Sequence, residues 1–154
     1  MSSEVVTVKA LDFEQIKQII PQRFPFLMLD RVIGAEPGVR VVGIKTLSGN
    51  EWFYQGHFPK RAVTPGAMIG EAVAQTGIVF FHFQQPGIQD VTYLLGSIKM
   101  RFLHPVWPGD QLRIEVTPIR LMRDAGLLAG TVMVDERIVA KGEFALSAKP
   151  NREL

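Results

Sequence analysis

Apolar and polar positions change their period several times along this chain of 154 residues, and each change marks an element. Between Asp12 and Ile20 the apolar residues Phe13, Ile16 and Ile20 fall on one side of a short helix. Asp12 is placed to cap it and Pro21 to end it. Phe26–Ala35 and Val39–Leu47 read as two strands around the turn Glu36-Pro37-Gly38. After Ser48-Gly49-Asn50 the stretch 51–65 has no period, yet it carries Trp52, Phe53, Tyr54, His57 and Phe58. A loop so rich in aromatics, with a histidine among them, reads as site-forming rather than merely connecting.

The segment 66–84 is apolar nearly all round: Ala67, Met68, Ile69, Ala72, Val73, Ala74, Ile78, Val79, Phe80 and Phe81. Thr64 is placed to cap this helix and Pro65 to occupy its first turn. A helix without a polar face has to be surrounded. Glu71 and Gln75 near its middle, with Gly66, Gly70 and Gly77, argue against lipid, where a central charge is costly. The pattern therefore predicts a helix running through a protein core.

Strand patterns follow at Val91–Arg101, Gln111–Leu121, Leu127–Val134 and Ile138–Ala148. Their breaks are Pro105–Asp110, Asp124-Ala125-Gly126 and the tight pair Asp135-Glu136. A hairpin, one buried helix and then a four-strand meander give a single α+β domain over 1–154. Its sheet must curve strongly to wrap one helix, and its edge strand favours pairing with a second subunit.

Composition narrows the chemistry. There is no cysteine, which removes disulfide scaffolds, thiolate metal sites and thiol catalysis. Lys and Arg exceed Asp and Glu by 17 to 15, and no basic run is longer than Lys60-Arg61, too mild a balance for a nucleic-acid surface. Glu4, Lys9, Asp12, Glu14 and Lys17 interrupt the first 20 residues, so no signal-peptide pattern appears and a cytoplasmic location is expected.

His57 and Glu71 carry the chemical interest. A loop histidine is often satisfied by a backbone carbonyl and nothing more. Glu71 is harder to explain structurally, because a carboxylate in an apolar helix pays desolvation unless paired, hydrogen-bonded or protonated. Its neighbours one helical turn away, Ala67, Met68, Ala74 and Gln75, include no base. A raised pKa would suit a general acid. At the helix start, the unpaired N–H of Gly66 is free of any side chain and can hold a carbonyl oxygen as it gains negative charge. Base, acid and oxyanion donor together fit proton abstraction beside a carbonyl, with loss of a hydroxyl one carbon further on. His82 and His104 are assigned to structure or surface.

The combined motifs resemble a known family. Pro21-Gln-Arg23-Phe-Pro25-Phe-Leu-Met-Leu-Asp30-Arg31, then Gly56-His57-Phe58-Pro59, then Pro65-Gly66 with Glu71-Ala-Val-Ala-Gln75, are similar to the FabZ-type 3-hydroxyacyl-[acyl-carrier-protein] dehydratases. Lys99-Met-Arg101-Phe102, Pro105-Val-Trp-Pro108-Gly109-Asp110 and Val134-Asp135 with Ile138-Val139-Ala140 continue the likeness, which covers about 12–148. Gln22, Ala62, Thr64, Leu103 and His104 depart from the usual pattern.

The resemblance implies the hot-dog fold, a curved antiparallel sheet wrapped around one long central helix. It implies dimers, often three per hexamer; a heteromer with a related subunit is the alternative. His57 would take a C2 proton, Glu71 of the neighbouring chain would protonate the departing C3 hydroxyl, and Gly66 N–H would polarise the thioester carbonyl. No metal or redox cofactor is implied, nor a nucleic acid or membrane partner. The substrate would arrive on the phosphopantetheine of an acidic acyl carrier protein, with Lys60, Arg61, Lys99 and Arg101 as docking charges. Met68, Ile69, Phe80, Tyr93 and Leu94 would line an acyl tunnel. Glu71 rather than Asp points away from the dehydratase/isomerase branch. The rival readings are a hot-dog acyl thioesterase and a non-catalytic partner subunit of a heteromeric dehydratase.

Overall fold

A computed structural model describes residues 9–154; the first eight residues of the expected domain lie outside the described residues. Helix α1 (Phe13–Ile19) starts as its sequence requires. Asp12 accepts from Gln15 N–H while the Gln15 side chain accepts from Asp12 N–H, a reciprocal cap. Arg23 closes the other end by donating to the carbonyls of Lys17, Ile20 and Gln22.

The first strand is shorter than expected. Phe26–Asp30 is not strand, because Phe26 N–H and Leu27 N–H both bond back to the Arg23 carbonyl and fold the chain into a turn. Strand β1 (Arg31–Glu36) follows and pairs with β2 (Arg40–Thr46) across a turn in which Gly38 takes a left-handed φ of 76°. A short 3-10 helix at Trp52–Gln55 leads to helix α2 (Gly66–Gln84) and strands β3 (Val91–Phe102), β4 (Gln111–Leu121), β5 (Ala125–Val134) and β6 (Arg137–Pro150).

The expected four-strand meander does not form. The sheet order is β1-β2-β4-β5-β6-β3, antiparallel throughout. Strand β4 pairs with β2, and β3 crosses to the far edge beside β6. The reason is space: α2 packs against all six strands, so the strand leaving it must start at one side of the curve rather than in its middle.

The sheet wraps α2, from Met68 to Phe81, with Phe144, Leu146, Leu128, Ile114 and Val116 as its main apolar cover. Gly77 permits the closest approach, since a Cβ there would stand 2.6 Å from the buried Phe144 ring. Gly142 lets β6 lie against β3, where any side chain would collide with the backbone of Lys99 and Met100. Among the described residues no helix is long and apolar enough to cross a membrane.

One part of the sheet is left uncovered. Residues directly opposite in an antiparallel pair share a face. Leu95, Ile98, Met100 and Phe102 oppose Leu146, Phe144, Gly142 and Ala140, and so point inward. Leu95, Ile98 and Phe102 are nevertheless 43–50% exposed. The sheet extends beyond what its own helix can cover.

Candidate active site

Helix α2 begins without a side-chain cap. Pro65 is the capping residue, not Thr64, whose hydroxyl instead lies 2.7 Å from that of Tyr54. The N–H groups of Gly66 and Ala67 find no protein acceptor among the described residues. The positive end of a 19-residue helix is thus open, as expected for Gly66.

Glu71 lies one turn further along, half-buried, with no cation within ion-pair distance among the described residues. Burial pushes its carboxyl up from the usual carboxylate range, and a hydrogen bond from Gln75 partly opposes this. Gln75 Nε2 donates to Glu71 Oε1 at 2.9 Å and to the Phe26 carbonyl at 2.7 Å, while its Oε1 accepts from Met28 N–H at 2.8 Å. A fully buried amide with all its partners fixed therefore holds the carboxyl in place. Glu71 opens into a groove of about 420 Å³ formed by Gly66, Ala67 and Gly70 of α2 and Leu95, Ile98, Met100 and Phe102 of β3. Apolar walls around one raised carboxyl make a proton donor.

His57 sits in the aromatic loop, after a turn in which its N–H bonds to Phe53 O and its carbonyl accepts from Val63 N–H. Its Nδ1 lies 2.9 Å from the Val63 carbonyl. A carbonyl only accepts, so Nδ1 carries the proton and Nε2 of the neutral ring keeps its lone pair. The ring stacks on Phe58 at 4.0 Å. The bond to Val63 is the backbone-satisfied arrangement expected of a loop histidine, and it leaves the other ring nitrogen free to face a ligand.

The two groups do not share a cavity within one chain. His57 faces a hollow of about 350 Å³ bounded by Trp52, Phe53, Pro65, Ala67 and Met68. Only Ala67 lines both this hollow and the Glu71 groove. The first turn of α2 stands between His57 and Glu71.

The remaining candidates are dispersed. Met68 lines the His57 hollow, whereas Ile69 and Phe80 are packed in the core. Tyr93 stacks on Phe81 and borders a separate cavity, and Leu94 is exposed on β3. Lys60 and Arg61 flank the His57 loop, and Arg61 lies over the Trp107 ring at 4.2 Å. Lys99 and Arg101 alternate with Met100 and Phe102 and so point to the outer face, where they border a depression with Lys141, away from the Glu71 groove. Leu95, Ile98, Met100 and Phe102 line the groove without having been candidates; their inward alternation becomes legible only with the β3–β6 pairing. Gln75 has no assigned role in the sequence pattern; its four-residue spacing from Glu71 is the signal that points to one. Among the described residues no group of three or more metal-ligating side chains is placed to hold a metal ion.

Comparison with known proteins bears on this geometry. The FabA-like domain model matches residues 20–143. The chain is 45% identical to the 3-hydroxyacyl-[acyl-carrier-protein] dehydratase FabZ of Anoxybacillus flavithermus over 141 residues, 90% of this chain and 99% of that protein. The FabZ of Roseiflexus castenholzii is 43% identical over 88% of this chain and 96% of its own length. Among solved structures, the dehydratase heterocomplex ApeI:P from Xenorhabdus doucetiae superposes with a TM-score of 0.75 at 18% identity, covering 90% of this chain and 93% of that one. The PaaI protein of E. coli, from its phenylacetic acid degradation operon, gives 0.60 at 14%, over 77% and 78% of the two chains. At such identities the structures speak for the hot-dog fold alone. With a raised acid on the central helix, an oriented imidazole in the aromatic loop and FabZ relatives aligned along nearly its full length, the chain belongs to the FabA-like family, in its FabZ-type dehydratase branch.

Proposed function

We propose that this protein converts (3R)-3-hydroxyacyl thioesters on an acyl carrier protein to the trans-2-enoyl thioesters, at a site completed by two copies of the chain. The curated relatives are named for this dehydration. The observation that carries the two-copy reading is that His57 and Glu71 open into different cavities, while the Glu71 groove is walled by inward residues of an edge strand that nothing covers. A second copy supplies both missing parts: cover for Leu95, Ile98 and Phe102, and an imidazole facing the carboxyl.

In this reading Nε2 of His57 removes the C2 proton. The carbonyl oxygen gains charge beside the open N–H of Gly66. The electron pair left at C2 forms the C2–C3 double bond as the C3–O bond breaks, and the protonated Glu71 of the second copy gives its proton to the departing hydroxyl, which leaves as water. The cycle closes when the imidazolium proton returns to the carboxylate through solvent. No oxidant, metal or redox cofactor takes part.

Lys60 and Arg61, beside the His57 loop, serve the acidic carrier as docking charges; Lys99 and Arg101, on the outer sheet face, serve it at longer range. The reaction belongs to fatty acid or polyketide-type biosynthesis in the cytoplasm, with dimers or trimers of dimers as the working form.

The test is to incubate the protein with 3-hydroxyacyl and 2-enoyl thioesters, following enoyl absorbance and free thiol separately. Interconversion without thiol release supports the reading. Thiol release alone assigns a thioesterase, and silence in both signals with a competent carrier assigns a non-catalytic partner subunit.

A further inference from the structure

Tyr54 and Thr64 form a buried hydroxyl pair that the proposed chemistry does not use. The residues are ten apart in the chain, their oxygens lie 2.7 Å from each other, and both are at most 5% exposed. Neither borders the His57 hollow or the Glu71 groove, so neither meets a ligand there. Packing alone does not call for the hydroxyls, since phenylalanine and valine would fill the same space. A hydroxyl pair taken out of water gains little net stability, and either oxygen left alone costs more than the pair contributes. What such a bond adds is directional placement.

The bond joins the two ends of the loop that carries His57. Tyr54 follows Phe53, whose carbonyl accepts from His57 N–H at 3.1 Å. Thr64 follows Val63, whose carbonyl takes the Nδ1 proton of the ring at 2.9 Å. Within the loop, Phe58 and Arg61 bond to each other and Val63 N–H bonds to the His57 carbonyl, which holds the loop to itself rather than to the body of the fold. Thr64 makes that attachment. Its N–H donates to the Val106 carbonyl at 2.9 Å, and its side chain is fixed by Tyr54. Pro65 and then Gly66, whose N–H opens helix α2, come directly after it. A shift of Thr64 therefore displaces two groups at once: the carbonyl that sets the imidazole and the N–H proposed to hold the thioester oxygen. Burial pushes the Tyr54 hydroxyl above its ordinary value, so the phenol keeps its proton and the tie persists through the neutral range.

We infer that the Tyr54–Thr64 hydroxyl pair is a positioning device for the reaction, holding the His57 imidazole and the Gly66 N–H in one fixed relation. The inference rests on the dehydratase reading for what those two groups do. Because the pair touches no substrate, its loss falls on kcat and leaves KM nearly unchanged. Misplacing a reacting group by on the order of 1 Å costs up to ~10²-fold in rate.

The experiment compares Tyr54→Phe, Thr64→Val and Thr64→Ser with the wild type on a 3-hydroxyacyl pantetheine thioester. Tyr54→Phe and Thr64→Val keep the shape and lose a hydroxyl; each is expected to lower kcat about tenfold or more, with KM within about twofold. Thr64→Ser keeps the hydroxyl and loses only a methyl, and is expected to hold kcat within about twofold. The double variant Tyr54→Phe/Thr64→Val leaves no hydroxyl unpaired, so its melting temperature recovers toward the wild type while its kcat stays with the single variants. Nitrogen NMR of ring-labelled histidine gives a readout without turnover. His57, assigned by the signal lost in His57→Ala, is expected as one tautomer protonated at Nδ1 in the wild type and as a mixture in Tyr54→Phe and Thr64→Val. If the wild type does not turn over the thioester, the dehydratase reading falls, and the imidazole signals by themselves decide the tie. A kcat lost equally in Thr64→Ser and Thr64→Val, a kcat that recovers with the melting temperature in the double variant, or a single tautomer in both variants lacking a hydroxyl overturns the inference.

Discussion

Gln75 Nε2 stands 2.9 Å from Glu71 Oε1, one helical turn away, and the same side chain ties that carboxyl to the backbone of Phe26 and Met28. The turn before β1 and the acid on α2 are thereby one rigid unit. The turn at Phe26 thus bears on where the Glu71 carboxyl sits.

Removing the amide tests that unit. Gln75→Leu leaves Met28 N–H and the Phe26 carbonyl without their partner, at a cost of about 1–3 kcal/mol per buried group, measurable by urea unfolding. It also removes the hydrogen bond that holds the Glu71 pKa down, so the alkaline fall in kcat is expected to begin at higher pH than in the wild type.

Glu71 itself links pH to stability. Its folded pKa is raised, so the folded state holds this proton more tightly than the unfolded chain does. The stability it contributes is full below the unfolded value of 4.5 and is lost as pH rises through the folded value. Glu71→Gln keeps the shape and cannot ionise. It is expected to melt at or above the wild-type temperature at pH 7 and to show a flatter Tm–pH curve between pH 4 and 8.

Activity tests the two proposed reacting groups. Glu71→Gln and His57→Ala are each expected to lose ~10²-fold or more in kcat. Mixing them, with unfolding and reassembly, restores part of the rate through hybrid dimers that hold one intact site. Restoration no greater than the sum of the separate mutants would place acid and base in one chain.

The uncovered edge strand makes a separate prediction. Ile98→Asp places a charge on the inward, exposed face of β3. Light scattering should show a shift toward monomer, with activity falling in step, since a desolvated unpaired charge is costly at an interface.

Two glycines contrast in their tolerance. At Gly77 an added methyl meets buried Phe144 at 2.6 Å, so Gly77→Ala is expected to cost about 1–3 kcal/mol by overpacking. At Gly66 it meets Phe102 at 3.1 Å, and that half-exposed ring can yield. Gly66→Ala should keep its Tm within a few degrees, while any loss of rate reports the Phe102 ring displaced into the groove.

Helix α2 was legible because its signal is local. A run apolar on every side has to be enclosed, and its bounds at Gly66 and Gln84 agree with the pattern. Thr64 misled for an equally local reason: its hydroxyl suits a cap, yet Tyr54, ten residues earlier, claims it. The single misplaced strand, β3, had further consequences. The strand itself is legible along Val91–Arg101, but which face is inward depends on the partner strand, and that partner, β6, lies far along the chain. Leu94, expected in the tunnel, is therefore on the outward face, while Leu95, Ile98, Met100 and Phe102 line the groove.

Local pattern was enough for the identity of the chemical groups, the helix that presents Glu71 and the open N-terminus at Gly66, because periodicity, capping and the desolvation of a carboxyl act over a few residues. It took the assembled fold to part His57 from Glu71 by the first turn of α2, to set Val63 against the imidazole and to turn Lys99 and Arg101 away from the groove. Those outcomes follow from strand order and from contacts between segments distant in the chain, which no local pattern encodes.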